Sequence, residues 1–98
     1  MELTFEWDAR KAKTNWDKHG ISFEEAKTVF NDPMLLTYSD EFHSDSEDRM
    51  ISIGYSIRQR ILLVVHTEHD AQNDLLIRII SCRGATPAER KVYDESST

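Results

Sequence analysis

The feature that most restricts the fold of this chain is a pair of nearly continuous apolar runs late in the sequence. Residues 61–67 (ILLVVHT) and 75–81 (LLIRIIS) are rich in branched aliphatic side chains. Runs of this length and composition are typical of central strands that are covered on both faces of a sheet. The polar segment between them, residues 68–74, predicts a connecting loop, and so short a connection favours an antiparallel meander.

The first third of the chain predicts one strand followed by a helical hairpin. Residues 3–7 alternate apolar and polar side chains, which is the period of a half-buried strand. Asp8 then offers an N-cap oxygen to a helix that Gly20 ends, because glycine enters the left-handed conformation without a steric cost. Ser22 and Glu25 have the spacing of a capping box, in which each side chain satisfies the other's amide, and they predict a second helix that stops at an Asp-Pro pair.

The remainder predicts strands and one closing helix. Residues 34–38 and 49–57 have the period of strands, and a turn is expected at residues 58–59. The segment Thr86-Pro87-Ala88-Glu89 combines a capping-box pair with proline at the first helical position. The predicted order is β-α-α-β-β-β-β-α in a single domain over residues 1–98. This order is an α+β class, with a twisted antiparallel sheet against which the helices pack.

The charge balance argues against a simple nucleic-acid binder. A formal net charge of −6 repels a phosphate backbone. The charge is uneven, however: the first 48 residues carry five basic and twelve acidic side chains, and the other 50 carry seven and six. The second half also holds six of the seven arginines. A local positive site is therefore possible there despite the unfavourable total.

The sequence predicts a cytoplasmic protein without cofactors. Cys82 is the single cysteine, which fits a reducing compartment, and no export signal or membrane-spanning apolar run is present. The acidic segment at residues 40–48 contains side chains that ligate metals, but it fits no zinc or EF-hand spacing. We therefore expect a solvated loop there, with no metal site and no membrane contact.

A series of short motifs extends along nearly the whole chain. The N-terminal motifs are Phe5-Glu6-Trp7-Asp8, Lys11, Asn15, Lys18-His19-Gly20 and Ser22-Phe23-Glu24-Glu25-Ala26. The later motifs are Phe30-Asn31-Asp32-Pro33, His43-Ser44 with Arg49, Ile53-Gly54, Val64-Val65-His66-Thr67-Glu68, Ile77-Arg78-Ile79-Ile80-Ser81, and Arg83 with Ala85-Thr86, Glu89-Arg90 and Tyr93. In these motifs and in their order, the chain resembles the BrnT toxin family.

This resemblance implies a RelE-like fold and the toxin component of a type II toxin–antitoxin pair. It implies a metal-independent RNA endonuclease that stops translation and is neutralised by a BrnA-type antitoxin. Such an antitoxin carries a ribbon-helix-helix DNA-binding part, so the toxin would meet DNA only through its partner. The alternative is a catalytically weak or inactive module that binds the antitoxin and tunes repression of the operon.

Metal-free RNA cleavage needs an acid, a base and fixed cations around one phosphodiester. Histidine suits proton transfer because its ordinary pKa is about 6.5, and arginine suits phosphate because its planar fork makes two charge-assisted bonds. His66 and Arg78 could lie near one another on the same sheet. We therefore predict His66, Arg78 and Arg83 as the catalytic group and Lys18, His19, Arg49 and Tyr93 as RNA-binding residues.

Purely structural roles are open for the same side chains. His66 could be a satisfied core histidine, and Arg78 could form an ion pair with Glu25, Glu89 or Asp94. His19 could cap the carbonyls that end the first helix, and Tyr93 could pack the last helix against the sheet. We also expect five large aromatic side chains in the core rather than exposed as stacking platforms; they are Trp7, Trp16, Phe23, Phe30 and Tyr55.

Overall fold

The predicted order of elements and the α+β class are both confirmed by the computed structural model, which describes residues 2–40 and 48–96. The elements are β1 (Glu2–Trp7), α1 (Ala9–His19), α2 (Phe23–Ala26), a 3₁₀ turn (Lys27–Asn31), β2 (Leu36–Ser39), β3 (Met50–Tyr55), β4 (Ile61–Ala71), β5 (Asp74–Gly84) and α3 (Pro87–Ser96).

The five strands form one sheet in the order β1-β5-β4-β3-β2. Strands β2 to β5 make the predicted antiparallel meander, but β1 pairs with β5 in parallel. The expectation of a wholly antiparallel sheet is therefore wrong at this one edge. The parallel pair covers only residues 74–79 of β5, so the second half of that strand has no strand on its outer side.

The hairpin of β4 and β5 is longer than the sequence predicted. Each strand has eleven residues, and a two-residue turn at residues 72–73 joins them, with Gln72 at a φ of 56°. Most of the predicted loop at residues 68–74 is thus strand. Its polar side chains could extend the ladder because this end of the hairpin is exposed to solvent.

Helices cover the two faces of the sheet unequally. Helices α1 and α2 and the 3₁₀ turn enclose the main core on one face; its buried members are Ile21, Phe23, Ala26, Val29, Leu62, Val64, Ile77, Ile79 and Cys82. On the other face a smaller cluster joins Tyr93 of α3 to Ile53 and Leu63. Because α3 lies over β3, part of this second face, over β4 and β5, lines an open groove.

The two predicted capping boxes have different outcomes. At α3 both halves form: Thr86 Oγ1 accepts from the Glu89 amide at 3.2 Å, and the Glu89 carboxylate accepts from the Thr86 amide at 2.8 Å. At α2 only Ser22 caps, accepting from the Glu25 amide. The Glu25 carboxylate instead accepts two bonds from Arg60, at 2.6 and 2.8 Å, and one from Ser56 at 2.7 Å. The buried carboxylate therefore ties α2 to the β3–β4 turn.

Two of the aromatic side chains expected in the core are exposed. Trp16 is 53 % exposed on α1, and Tyr55 is 46 % exposed at the end of β3. Trp7, Phe23 and Phe30 do pack against the main core as predicted. Trp16 is exposed because α1 lies beside the edge of the sheet and packs with only one of its faces. The other side of the helix, which carries Trp16, remains in solvent.

His66 is a core residue in this structure. Its side chain has no exposure, the Phe30 ring packs edge-on at 5.0 Å between centroids, and Nε2 lies 2.7 Å from Ser52 Oγ. Burial lowers the pKa of His66 to about 4, opposed only by a backbone contact with Thr67. The ring is therefore neutral at neutral pH, and it sits beneath the helices rather than on the open face.

We expect Gly54→Ala to destabilise the fold by about 1–3 kcal/mol, because overpacking forces neighbours apart. A Cβ at Gly54 would lie 2.7 Å from Leu35 Cδ1 and 3.2 Å from the carbonyl oxygen of Val29. Gly84→Ala is the matched control, since a Cβ there meets nothing within 4 Å. Urea unfolding of both variants measures the difference, and equal midpoints would contradict this account of the β3 packing.

We expect stability to fall in mild acid because of His66. The unfolded chain takes up a proton near the ordinary pKa of 6.5, whereas the folded chain does so only near a pKa of 4. Between these values protons favour the unfolded state, so the free energy of unfolding should drop by about 2 kcal/mol from pH 7.5 to pH 5. His66→Gln should remove this dependence and His69→Gln, at an exposed site, should keep it. An unchanged slope in the His66 variant would refute the assignment.

Candidate functional site

A groove of 610 Å³ lies between α1 and the second half of β5, on the open side of the sheet. Its lining residues are Arg10, Lys11, Thr14, Asn15, Lys18, His19, Leu63, Val65, Ile80, Ser81, Cys82 and Arg83. Basic side chains come from α1 and β5, and apolar side chains come from the sheet. No acidic side chain of the described ranges lines the groove, although the chain as a whole carries a net charge of −6.

Asn15 fixes α1 against the free edge of β5. Its Oδ1 accepts from the Cys82 amide at 3.0 Å, and its Nδ2 donates to the Ile21 carbonyl at 3.0 Å. The Cys82 amide needs this acceptor because β1 has ended and offers no ladder partner. The Asn15 side chain thus accepts the hydrogen bond that a neighbouring strand would otherwise accept, and it keeps α1 beside β5. The groove is the space that this arrangement leaves.

The groove-facing side of α1 is a basic stripe. Arg10, Lys11, Thr14 and Lys18 recur at helical spacings of three and four, so they share one side of the helix. Lys13 lies outside the groove and pairs with Asp17 at 3.1 Å. On the solvent face of α1 a cation is thus paired with an acid, whereas the lining of the groove, as far as the structure describes the chain, contains cations and no acidic side chain.

The guanidinium of Arg83 is bound by Glu89 of α3, but not all of its hydrogen-bond donors are used. Nη1 donates to Glu89 Oε1 at 2.8 Å and to the Gly84 carbonyl at 3.2 Å, and Nη2 donates to Glu89 Oε2 at 2.9 Å. The Arg83 guanidinium lowers the pKa of the Glu89 carboxyl to about 2. These bonds use both hydrogens of Nη1 and one of Nη2, so among the described residues Nε–H and the second Nη2–H remain as a fork.

Arg78 lies on the same face of the sheet as Arg83, nearer the start of α1. It pairs with Glu6 across the parallel ladder, Nη1 to Oε2 at 2.9 Å, instead of with any of the partners expected from the sequence. It does not meet His66. The two-residue turn pairs His66 with Ile79, whose side chain is buried, and Arg78 with Thr67 on the opposite face.

The other predicted site residues divide into two groups. Lys18 and His19 line the groove together with Arg83, as an RNA-binding role would require. Arg49 is half-buried just before β3 and outside the groove lining. Tyr93 is 7 % exposed, and its hydroxyl donates to Asp32 Oδ2 at 2.5 Å. Its ring is therefore committed to packing α3, and burial raises its pKa to about 12.

Residues of three kinds lie at or near the groove but are not among the predicted site residues. Arg10 and Lys11 extend the basic stripe, and their spacing from Lys18 on one helical face was a signal available in the sequence. Glu89 was recognised only as a capping residue, because nothing in the sequence indicates that the same carboxylate reaches Arg83. Tyr38 lies on β2 close enough for the charges of Glu89 and Arg83 to act on it, and burial raises the pKa of its phenol.

The candidate metal loop falls mostly outside the described residues, so its expected solvation stays a prediction. Within residues 2–40 and 48–96, no three His, Cys, Asp or Glu side chains are placed to hold a metal ion together. Over the same ranges no helix is long and apolar enough to cross a membrane.

Comparisons with known proteins agree on one family. A family model described as the ribonuclease toxin BrnT of a type II toxin–antitoxin system matches residues 7–89. The 1.1 Å crystal structure of the Brucella abortus ribonuclease toxin BrnT superposes with a TM-score of 0.60 at 20 % identity, covering 88 % of this chain and 99 % of that one.

At this level of identity the structural match establishes the fold alone. A search of curated proteins found no significant match. The family model, however, spans most of the chain and includes α1, α2, strands β2 to β5 and the start of α3. The chain therefore belongs to the BrnT family of ribonuclease toxins of type II toxin–antitoxin systems.

Proposed function

We propose that this protein is a metal-independent RNA endonuclease that binds its substrate in the groove between α1 and β5. The observation that carries the proposal is the Arg83 guanidinium. Glu89 binds it along one edge, its second pair of donors has no hydrogen-bond partner among the described residues, and Arg83 itself lines a groove that has no acidic lining in those ranges. A fork of this geometry matches two oxygens of one phosphate.

The reaction that suits these residues is transfer within the RNA. The ribose 2′-oxygen attacks the adjacent phosphorus and loses its proton to a base, a 2′,3′-cyclic phosphate forms, and the 5′-oxygen leaves after taking a proton from an acid. Negative charge grows on the phosphoryl oxygens during this step. Arg83 stabilises that charge, and Arg78, at the other end of the open face, adds positive potential.

Proton transfer is assigned to His19 rather than His66. His66 is buried beneath the helices with Nε2 engaged by Ser52, so a phosphodiester in the groove is out of its reach. Among the histidines of the described ranges, His19 is the one that lines the groove, beside Lys18 and near Arg83. Tyr38 lies outside the groove lining, so no proton transfer is assigned to it.

The second part of the proposal is a partner. A toxin of a type II system is produced with an antitoxin, and we assign a BrnA-type protein with a ribbon-helix-helix DNA-binding part to this role. Covering the groove would silence Arg83 directly. The toxin would then act in the cytoplasm, where it stops translation, and would contact DNA only through the antitoxin.

One observation favours the alternative of a binding module with little or no cleavage. Both proposed phosphate-binding arginines are already paired with carboxylates, Arg78 with Glu6 and Arg83 with Glu89. The net charge of −6 also opposes the approach of RNA. Antitoxin binding without toxicity would be the whole function in that case.

Arg83→Lys tests the fork. The variant keeps the positive charge but cannot make two parallel bonds to one phosphate, so we expect cleavage by the purified protein to slow by about 10²-fold. Arg90→Lys is the matched control, because Arg90 is exposed on α3 outside the groove. Growth after induction should fail with wild type and Arg90→Lys and recover with Arg83→Lys.

The outcomes separate the two functions. Wild-type cleavage with an equally active Arg83→Lys variant would refute the role of Arg83. Soluble, folded wild type that leaves RNA intact and growth normal, yet binds its antitoxin, would replace the endonuclease with the binding module.

Chelation tests metal independence. Because the charge on phosphate is met by arginine side chains, we expect dialysis against EDTA to leave the cleavage rate within about twofold of its starting value. Cleavage of a fluorescent RNA before and after dialysis measures this. Loss of activity that added Mg²⁺, Mn²⁺ or Zn²⁺ restores would contradict the proposal.

A further inference from the structure

The wall and the floor of the groove differ in chemistry. The wall is the basic stripe of α1, and the floor consists of Leu63, Val65 and Ile80. Cations on the wall suit phosphate oxygens, but an apolar floor gains nothing from phosphate because the gain from burial comes from apolar surface. A ligand that satisfies both parts must carry negative charge beside a flat apolar face.

Ile80 is placed in the groove by an irregularity of the sheet. The pairing of β4 with β5 shifts between Val65 and His66, so Val65 faces Ser81 and His66 faces Ile79. Ile80 is the extra residue and has no partner in the ladder. Bulges of this kind re-aim side chains next to functional sites, and here the half-buried Ile80 joins Val65 below the α1 wall.

From this juxtaposition we infer that the floor is a nucleobase site: one unpaired base of the RNA lies on Val65 and Ile80 while Lys11 and Lys18 bind phosphates on either side of it. The inference rests on the proposed function and adds the substrate class, which is a single-stranded stretch of RNA. Lys11 and Lys18 are seven residues apart, so they lie on one side of α1 about 10 Å apart along its axis.

A duplex does not fit this surface. Paired bases are stacked inside the helix, and A-form RNA presents riboses and phosphates to a protein, so its bases could not reach an apolar floor. An unpaired base has an exposed face that packs on apolar side chains with little regard to sequence. The volume of 610 Å³ also lies within the range of sites that enclose one small ligand.

The hydroxyls of Thr14 and Ser81 complete the lining. Either can donate or accept a hydrogen bond at the edge of a base. A peptide of acidic residues alone would satisfy the lysines, and its backbone could bond these hydroxyls, but it would leave the apolar floor without a matching surface. Charge and shape together therefore favour RNA as the occupant over an acidic protein segment.

Removing the bases tests the site. Fluorescent eight-nucleotide single strands of 2′-O-methyl RNA cannot be cleaved, because the attacking hydroxyl is blocked, and a matched strand is abasic at all eight positions, so that no shift of register can place a base on the floor. We expect the wild-type chain to bind the abasic strand about tenfold more weakly than the intact one. A duplex of the same sequence should bind less tightly than the intact single strand.

Variants of the chain locate the effect. Val65→Thr keeps the shape of the side chain but makes the floor polar, so the loss of affinity caused by removing the bases should shrink. Ile57→Thr, at a residue 76 % exposed outside the groove, should keep that loss. Lys11→Ala and Lys18→Ala should each lower the slope of log affinity against log salt by about 0.7, the value for one phosphate contact to a single strand. Lys13→Ala should leave that slope unchanged.

The results distinguish this inference from the proposed function. Binding and cleavage of RNA with equal affinity for the intact and the abasic strand, or with the same loss of affinity in Val65→Thr, would overturn the base site but not the proposed nuclease activity. If the wild-type chain binds neither the oligonucleotide nor cleavable RNA, the proposed function fails first. A stronger affinity for poly-glutamate than for the single strand would overturn the base site in favour of an acidic partner.

Discussion

The register of the β4–β5 hairpin is the constraint on which the rest of this structure depends. The two-residue turn sets the pairing next to it, and that pairing assigns His66 to the helix-covered face and Arg78 to the open one. The shift between Val65 and His66 then adds Ile80 as an extra residue at the groove. Because of this extra residue, Arg83 pairs with Leu63 and lies on the same open face as Arg78. A change of one residue in the turn would exchange the two faces.

The groove exists because two polar side chains join helices to the free parts of this hairpin. Asn15 satisfies the Cys82 amide where β1 has ended, which fixes α1 beside β5. Glu89 serves both the first turn of α3 and the guanidinium of Arg83, which fixes that helix relative to the other side of the groove. Each contact meets a backbone or side-chain donor that would otherwise lack an acceptor. The same contacts that stabilise the fold therefore position the basic groups of the site.

Local patterns predicted most of the fold. Asp8, Gly20, and the pair of Thr86 and Glu89 end or begin their helices where the sequence indicated, because caps depend on residues within one turn. Predictions failed where a residue distant in the sequence supplies the partner. The Glu25 carboxylate binds Arg60 instead of closing its capping box, and β1 pairs with β5 in parallel. Of the predicted site residues, Lys18, His19 and Arg83 line the groove, whereas His66 and Tyr93 are buried.

The sequence by itself determined the elements, their order and the α+β class, since turn residues, caps and hydrophobic period act over a few neighbouring residues. Its motifs, read in order along the chain, also indicated the family. Only the tertiary structure decided which cationic side chains line the same groove. Three of the cations, Arg10, Lys11 and Lys18, lie on α1, and the fourth, Arg83, lies far along the chain on β5. They share a groove because the hairpin register and the Asn15 contact bring α1 beside β5. Long-range pairing is a property of the whole fold, so no local pattern could have specified it.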